Sequence, residues 1–283
     1  MGENLPYSGS FKIVTVASGK GGVGKTLTTI HMALTLALEG KKAVILDGDL
    51  GLSNVDVVLG LQPRYNIIDV IENHVSMEKI LLDGPFGIRV IPSGSGITKL
   101  ADLSYAKKVG LLDEIAKVMD GSEYLLIDTG AGINNDVLHL NSLSDEIVVV
   151  TTPEPHAMTD AYAFMKVMAK EYKKARFKII VNVARSMEEG KRCFEKLEEV
   201  ASRFLDISMD LLGVVPLDPI VHREVMRQNI IGQHTIRTVS GQAWKNCVLR
   251  LLESIKPESE KSKDKFWMDF VLQPGYRQIE NLA

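Results

Sequence analysis

Short apolar runs rich in β-branched residues recur along the chain at 12–17, 43–47, 88–91, 124–128, 146–151, 177–182 and 211–215, and helical patterns fall between most of them. Runs with no polar side read as strands covered on both faces, so the alternation predicts an α/β fold with a mostly parallel sheet of about seven or eight strands and helices on both faces. Right-handed crossovers then gather the functional loops at the strands' C-terminal edge. The pattern breaks at Lys256, where Lys-Pro-Glu-Ser-Glu-Lys-Ser-Lys-Asp-Lys is polar and charged and Pro257 closes the preceding helix. Four parts are expected: an extension at 1–10, the α/β domain at 11–255, a charged linker at 256–265 and a tail at 266–283 that turns apolar again between Phe266 and Leu272.

Composition narrows this modestly. At 283 residues and 45% hydrophobic content, the chain is long enough to bury one large core. A net charge of −3 gives no basis for a strongly basic nucleic-acid surface, so no specific nucleic acid is expected as a partner. The two cysteines, Cys193 and Cys247, are far apart and lack a C-x-x-C spacing, which argues against a disulfide framework or a zinc site and fits a reducing cytosol. Neither a basic leader followed by an apolar stretch nor a run approaching about 18 apolar residues occurs, so the chain is expected to be cytoplasmic.

Chemistry enters at residues 19 to 26, Gly-Lys-Gly-Gly-Val-Gly-Lys-Thr. Gly19, Gly24, Lys25 and Thr26 meet the pattern G-x-x-x-x-G-K-[ST]. Backbone N–H groups of such a loop close around phosphates, Lys25 reaches the β/γ oxygens and the Thr26 hydroxyl holds Mg²⁺. The setting agrees, because the strand at 12–17 precedes the loop and apolar residues at helical spacing run from Thr26 to Leu38. Nucleotide contacts are expected from Gly19, Lys20, Gly21, Gly22, Val23, Gly24, Lys25 and Thr26, and from Thr28 in the following helix.

Three further segments fall at strand ends. Asp47 and Asp49 place two carboxylates one residue apart, one suited to the water shell of Mg²⁺ and the other to an attacking water; a helix N-cap with solvated carboxylates is the alternative. Asp128 ends an apolar strand before Thr-Gly-Ala-Gly, a Walker B arrangement that reaches Mg²⁺ or its waters. Asn182 offers a donor and an acceptor suited to an adenine edge, and the loop of Pro216, Leu217 and Asp218 offers backbone groups and an apolar wall. With no N-K-x-D motif, ATP is expected rather than GTP.

Lys20 is surplus to the general pattern, and Lys-Gly-Gly-x-Gly-Lys-Thr resembles the deviant Walker A loop of the MinD/ParA group of ATPases. The resemblance implies that Lys20 crosses to the ATP of a second subunit, in a homodimer with two ATP molecules at its interface. It also implies that Asp49 polarises the hydrolytic water, that Asp47 supports Mg²⁺ indirectly, that Asn182 reads the base, and that Glu154 contacts the partner's nucleotide. His156, at a helix start, reads as a surface or cap residue. Within the group, Asp49-Leu-Gly-Leu-Ser-Asn-Val-Asp-Val-Val-Leu-Gly-Leu, Arg64-Tyr-Asn-Ile-Ile-Asp-Val and Thr152-Pro-Glu-Pro-His-Ala-Met-Thr-Asp-Ala-Tyr look most like FlhG (FleN, YlxH), MinD-like ATPases that control flagellar number and placement. That resemblance implies flagellar partners, among them FlhF, switch-complex proteins or transcriptional regulators. One departure stands out: nothing in residues 1–10 resembles the D-Q-A-x-x-L-R segment through which such proteins stimulate FlhF.

The tail completes the expectations. Phe266, Trp267, Phe270, Val271 and Leu272 follow Lys261, Lys263 and Lys265, which resembles the amphipathic membrane-targeting helix of MinD and FlhG, although Glu258, Glu260, Asp264 and Asp269 dilute its positive charge. Reversible peripheral association with a membrane surface is expected of this segment, with packing on the parent domain as the alternative. A ParA-like ATPase that positions DNA or another cargo is the alternative for the whole chain. The missing C-x-x-C argues against an iron–sulfur carrier.

Overall fold

The computed structural model describes residues 11–49, 54–72, 74–93, 103–227 and 234–255. The extension at 1–10, the linker and the tail from Phe266 lie outside the described residues, as does the middle of the segment after Asp49.

The element order follows the alternation of apolar runs and helices. It begins β1 (Lys12–Ser18), α1 (Lys25–Leu38), β2 (Ala43–Gly48), α2 (Val55–Leu59), α3 (Ile67–Ile71), α4 (Met77–Ile80), β3 (Leu82–Asp83) and β4 (Arg89–Ile91). It continues α5 (Tyr105–Val118), β5 (Tyr124–Ala131), α6 (Asn135–Ser142), β6 (Glu146–Thr151), α7 (Pro155–Tyr172) and β7 (Arg176–Ala184). The last elements are α8 (Met187–Phe204), β8 (Ser208–Pro216), α9 (Pro219–Met226) and α10 (Val239–Ser254).

One eight-stranded sheet runs β3-β4-β2-β5-β1-β6-β7-β8, parallel throughout except for the short antiparallel β3/β4 pair. Strand periodicity sorts each strand's side chains to two faces. Val14 and Val16 of β1 join Leu126, Val148 and Ile180 beneath α1 and α10. On the other face Ile13, Leu125 and Ile127 pack against α3 to α5, and Val149, Ile179 and Val181 pack against α7 and α8. Burial on both sides is why these strands read as continuous apolar runs.

Helix starts follow local chemistry. The side chains of Asn134, Ser186 and Thr238 accept the backbone N–H three residues on, at the N-termini of α6, α8 and α10, each satisfying a donor that the helix leaves unpaired.

Two differences from the pattern matter. The two-residue β3 is too short to leave a periodic signal. β5 runs three residues beyond Asp128, because Gly48 pairs with Thr129 and Ser18 with Ala131. Asp128 is therefore inside the sheet rather than at a strand end, with Thr129 paired to β2 and Ala131 to β1 beyond it.

Candidate functional site

β1 lies between β5 and β6, in the middle of the sheet, and the loop after it opens at the C-terminal edge, where α/β folds bind ligands. Gly19 packs directly on α7: a Cβ there would stand 2.0 Å from the Asp160 carbonyl oxygen. Gly24 has φ of 91° as the N-cap of α1, and a Cβ on it would meet the Asn182 amide nitrogen at 2.3 Å. Only glycine fits either place. No side chain caps α1, so its first N–H groups face the loop's interior, where the helix dipole favours an anion.

Thr26 and Thr29 sit three apart on one face of α1, and both hydroxyls donate to Asp128, at 2.7 Å and 3.1 Å. Asp128 is 1% exposed, and burial pushes its carboxyl up to about 7 against the pull of the two threonines and Lys25. Lys25 is buried beside it. Desolvation lowers its pKa while the carboxylates of Asp128 and Asp49 oppose the shift, so the ammonium is held among carboxylates at the helix start.

The two aspartates at the C-terminal end of β2, Asp47 within it and Asp49 just beyond, have different tasks. Asp47 is buried, and its oxygens accept the backbone N–H groups of Asp49 at 3.1 Å, Asn54 at 3.0 Å and Val55 at 3.2 Å. It therefore fastens both ends of the segment leading into α2, which is capping chemistry carried out from inside the core. Asp49 reaches across to the β5 side: one of its carboxylate oxygens lies 3.6 Å from where a Cβ on Gly130 would stand. A hydrogen bond from Gly132 N–H to the Ser18 carbonyl at 2.9 Å ties the end of β5 to the start of the phosphate loop.

Lys20 stands at the lip, its side chain 39% exposed, and its ammonium donates to Glu154 at 2.9 Å. Beside the loop a cleft of about 210 Å³ is lined by Gly24, Asn182, Pro216, Leu217, Asp218 and Trp244, among others. The Asn182 amide donates to the Val23 carbonyl at 2.9 Å, which braces the loop from the cleft side. Asp218 caps α9 through Ile220 N–H and accepts from the Ser240 hydroxyl at 2.9 Å, holding the wall of the cleft to α10.

Thr28 is fully buried; its N–H donates to the Gly24 carbonyl at 3.0 Å, and its hydroxyl accepts from the Trp244 indole at 3.1 Å. Both polar groups are thus engaged within the fold. His156 is exposed in the first turn of α7. Sequence reasoning passed over Trp244, which lines the cleft and stacks on buried His31 with ring centroids 4.2 Å apart. It also passed over Thr29, which the three-residue spacing from Thr26 could have revealed.

Hard oxygen donors are the right kind for Mg²⁺. Among the described residues no three His, Cys, Asp or Glu side chains converge into a cage, so Thr26 and the aspartates would hold Mg²⁺ only together with phosphate oxygens and water, the usual manner for this ion. Cys193 and Cys247 are buried in separate clusters on opposite faces of the sheet. No helix of the described residues is long and apolar enough to cross a membrane.

Residues 10–252 match the ParA family model, described as NUBPL iron-transfer P-loop NTPase. The chain is 35% identical over 262 residues to the antiactivator FleN of Pseudomonas aeruginosa, covering 93% of this chain and 94% of FleN. It is 32% identical over 224 residues to the flagellum site-determining protein YlxH of Helicobacter pylori, covering 79% and 76%. Among solved structures, the MinC:MinD cell division protein complex of Aquifex aeolicus matches with a TM-score of 0.70 at 28% identity, over 88% of this chain and 98% of that one. The matched span takes in the phosphate loop, both aspartate segments and the cleft, and the chain accordingly belongs to the ParA family of P-loop NTPases and is an ATPase.

Proposed function

We propose that this ATPase is a switch of the FlhG kind: it pairs with a second copy of itself when Mg²⁺ and ATP are bound, acts on flagellar number or placement, and is reset by slow hydrolysis. The observation that carries the pairing is Lys20. Lys25 already supplies a buried cation inside the loop, whereas Lys20 sits at the lip on an exposed carboxylate. Exposed ion pairs are worth little, so Glu154 restrains Lys20 only weakly against a facing subunit's phosphates. Glu154, once released, would meet the partner's nucleotide.

Within one subunit, the loop's N–H groups and Lys25 bind the phosphates. Thr26 and Asp128 would hold Mg²⁺, with Asp47 behind them, and the ion when bound neutralises charge on the β- and γ-phosphates. Asp49 orients the attacking water. Asn182 and the loop of Pro216 to Asp218 take the adenine. Phosphoryl transfer of this kind depends on positioning and electrostatics, and this chain supplies both from fixed elements.

The flagellar role rests on near full-length similarity to FleN and on YlxH. FlhF, switch-complex proteins and transcriptional regulators are the partner classes to test, and the tail from Phe266 is proposed to bring the dimer to the inner face of the cell membrane. Size-exclusion chromatography with ATP or ADP tests the pairing, which is expected with ATP only; a monomer under both conditions would overturn it. A pulldown with Asp49→Ala tests the branch: capture of flagellar regulatory or switch proteins is expected, and ATP-dependent, salt-sensitive retention on nonspecific DNA with no such partner would favour a ParA-like role instead. Liposome sedimentation tests the tail, with pelleting expected for the ATP-bound full chain and lost on truncation after Lys256.

A further inference from the structure

The strand that carries Asn182 is irregular at the point where it meets the cleft. Val181 pairs with Val214 and Ala184 with Pro216, so three steps along β7 match two along β8. One extra residue has been inserted, and the phase of the side chains confirms it. Val181 and Ala184 both pack into the cluster under α7 and α8, although in an unbroken strand their side chains would point to opposite faces. The bulge closes where Leu217 N–H donates to the Ala184 carbonyl at 2.8 Å.

Within it, Val183 has φ of 56°. A β-branched residue in the left-handed region is a genuine outlier, since its Cβ crowds the backbone there and glycine or asparagine is the ordinary occupant. Val183 gains little from burial in return. It is 41% exposed and lines the cleft with Pro216, Leu217, Trp244 and Gly24.

We infer that Val183 is a specificity-determining residue of this ATPase: its strained bulge sets its isopropyl group as a wall against the base and ribose, beside the Asn182 amide. The inference rests on the reading of the cleft as the adenine site. A strained residue at a ligand site marks a place where conformational energy has been given up for binding. The bulge also explains how one strand end serves two masters. Asn182 donates to the Val23 carbonyl and the next residue, Val183, lines the same cleft, a pairing that regular alternation across the sheet would forbid.

The test compares Val183→Gly, Val183→Ala and Val183→Ile with the wild type, using the full chain, for binding of ADP and of inorganic tripolyphosphate, together with thermal melting of the free protein. Glycine adopts this backbone without strain, alanine keeps the Cβ but removes the wall, and isoleucine keeps both. ADP binding should weaken by about five- to tenfold in the glycine and alanine variants, the size of one partly buried aliphatic contact, and stay within about twofold for isoleucine. Tripolyphosphate, which has no base, should bind all four proteins alike, and the glycine variant should melt no lower than the wild type. Unchanged ADP affinity in both truncated variants would overturn the inference, as would an equal weakening of tripolyphosphate, because the bulge would then act on the phosphate loop alone. A wild type that binds tripolyphosphate and ADP equally well would instead sink the assignment of the base to this cleft.

Discussion

Lowering the pH should draw opposite responses from two groups buried at either side of α1, and His31 gives the cleaner measurement. It is 1% exposed, its pKa lowered by burial to about 3 from an ordinary 6.5, and its Nε2 lies 3.0 Å from the Thr235 hydroxyl. The folded protein keeps the ring neutral while the unfolded chain protonates below 6.5. Stability from this group is therefore intact above that value and lost as pH falls from about 6.5 towards 3. Between pH 7.5 and 5.0 the loss is about 2 kcal/mol. Asp128 works the other way. Its carboxyl is raised to about 7, so protonation over the same interval relieves a buried charge and returns about 2 kcal/mol or slightly more. The wild type should thus show little net change from this pair, and the contribution of His31 appears only on its removal. His31→Phe keeps an aromatic ring to stack on Trp244 and cannot be protonated. Urea unfolding of both proteins at the two pH values should show the variant gaining about 2 kcal/mol relative to the wild type on acidification, whatever its offset at pH 7.5. Parallel stability curves would refute the reasoning, because they would mean that the folded state accepts a proton on His31 after all.

Three substitutions test the site directly. Lys20→Ala should retain ATP binding while losing ATP-dependent dimerisation and hydrolysis, and a persistent dimer in size-exclusion chromatography would refute the cross-subunit role. Asp49→Ala should bind ATP as before and hydrolyse it about 100-fold more slowly, leaving a long-lived dimer; wild-type turnover in a phosphate-release assay would remove Asp49 from the chemistry. Gly24→Ala places a Cβ on the Asn182 amide at a backbone angle of 91°, so it should cost about 2 kcal/mol in thermal or urea unfolding and abolish nucleotide binding. Normal ATP affinity in that variant would mean that the loop rearranges more easily than its contacts indicate.

The phosphate loop, the order of strands and helices along the chain and the three aspartates were legible because each depends on residues close in sequence. A strand buried on both faces leaves a short apolar run, and a loop that wraps phosphate needs its glycines at fixed spacing. What escaped depends on distance. The Trp244 indole meets Thr28 across 216 positions and His31 meets Thr235 across 204, so no local pattern could couple them. Thr28 shows the same separation: a threonine just past the loop is tied by its hydroxyl to a tryptophan of α10. The bulge at Val183 was hidden differently. Val-Asn-Val reads as ordinary strand sequence, and only the pairing with β8 shows that one residue has been added.

The contact between Gly19 and the Asp160 carbonyl has a mechanical side. With backbone seated on backbone at this point, no side chain stands between Gly19 and Asp160 to flex and absorb a shift. From that bearing to Tyr172 the helix extends roughly 18 Å, so a tilt of about 5° moves its far end by roughly 1.5 Å. The rise and fall of a terminal phosphate would then be felt as leverage on the outer surface of the protein.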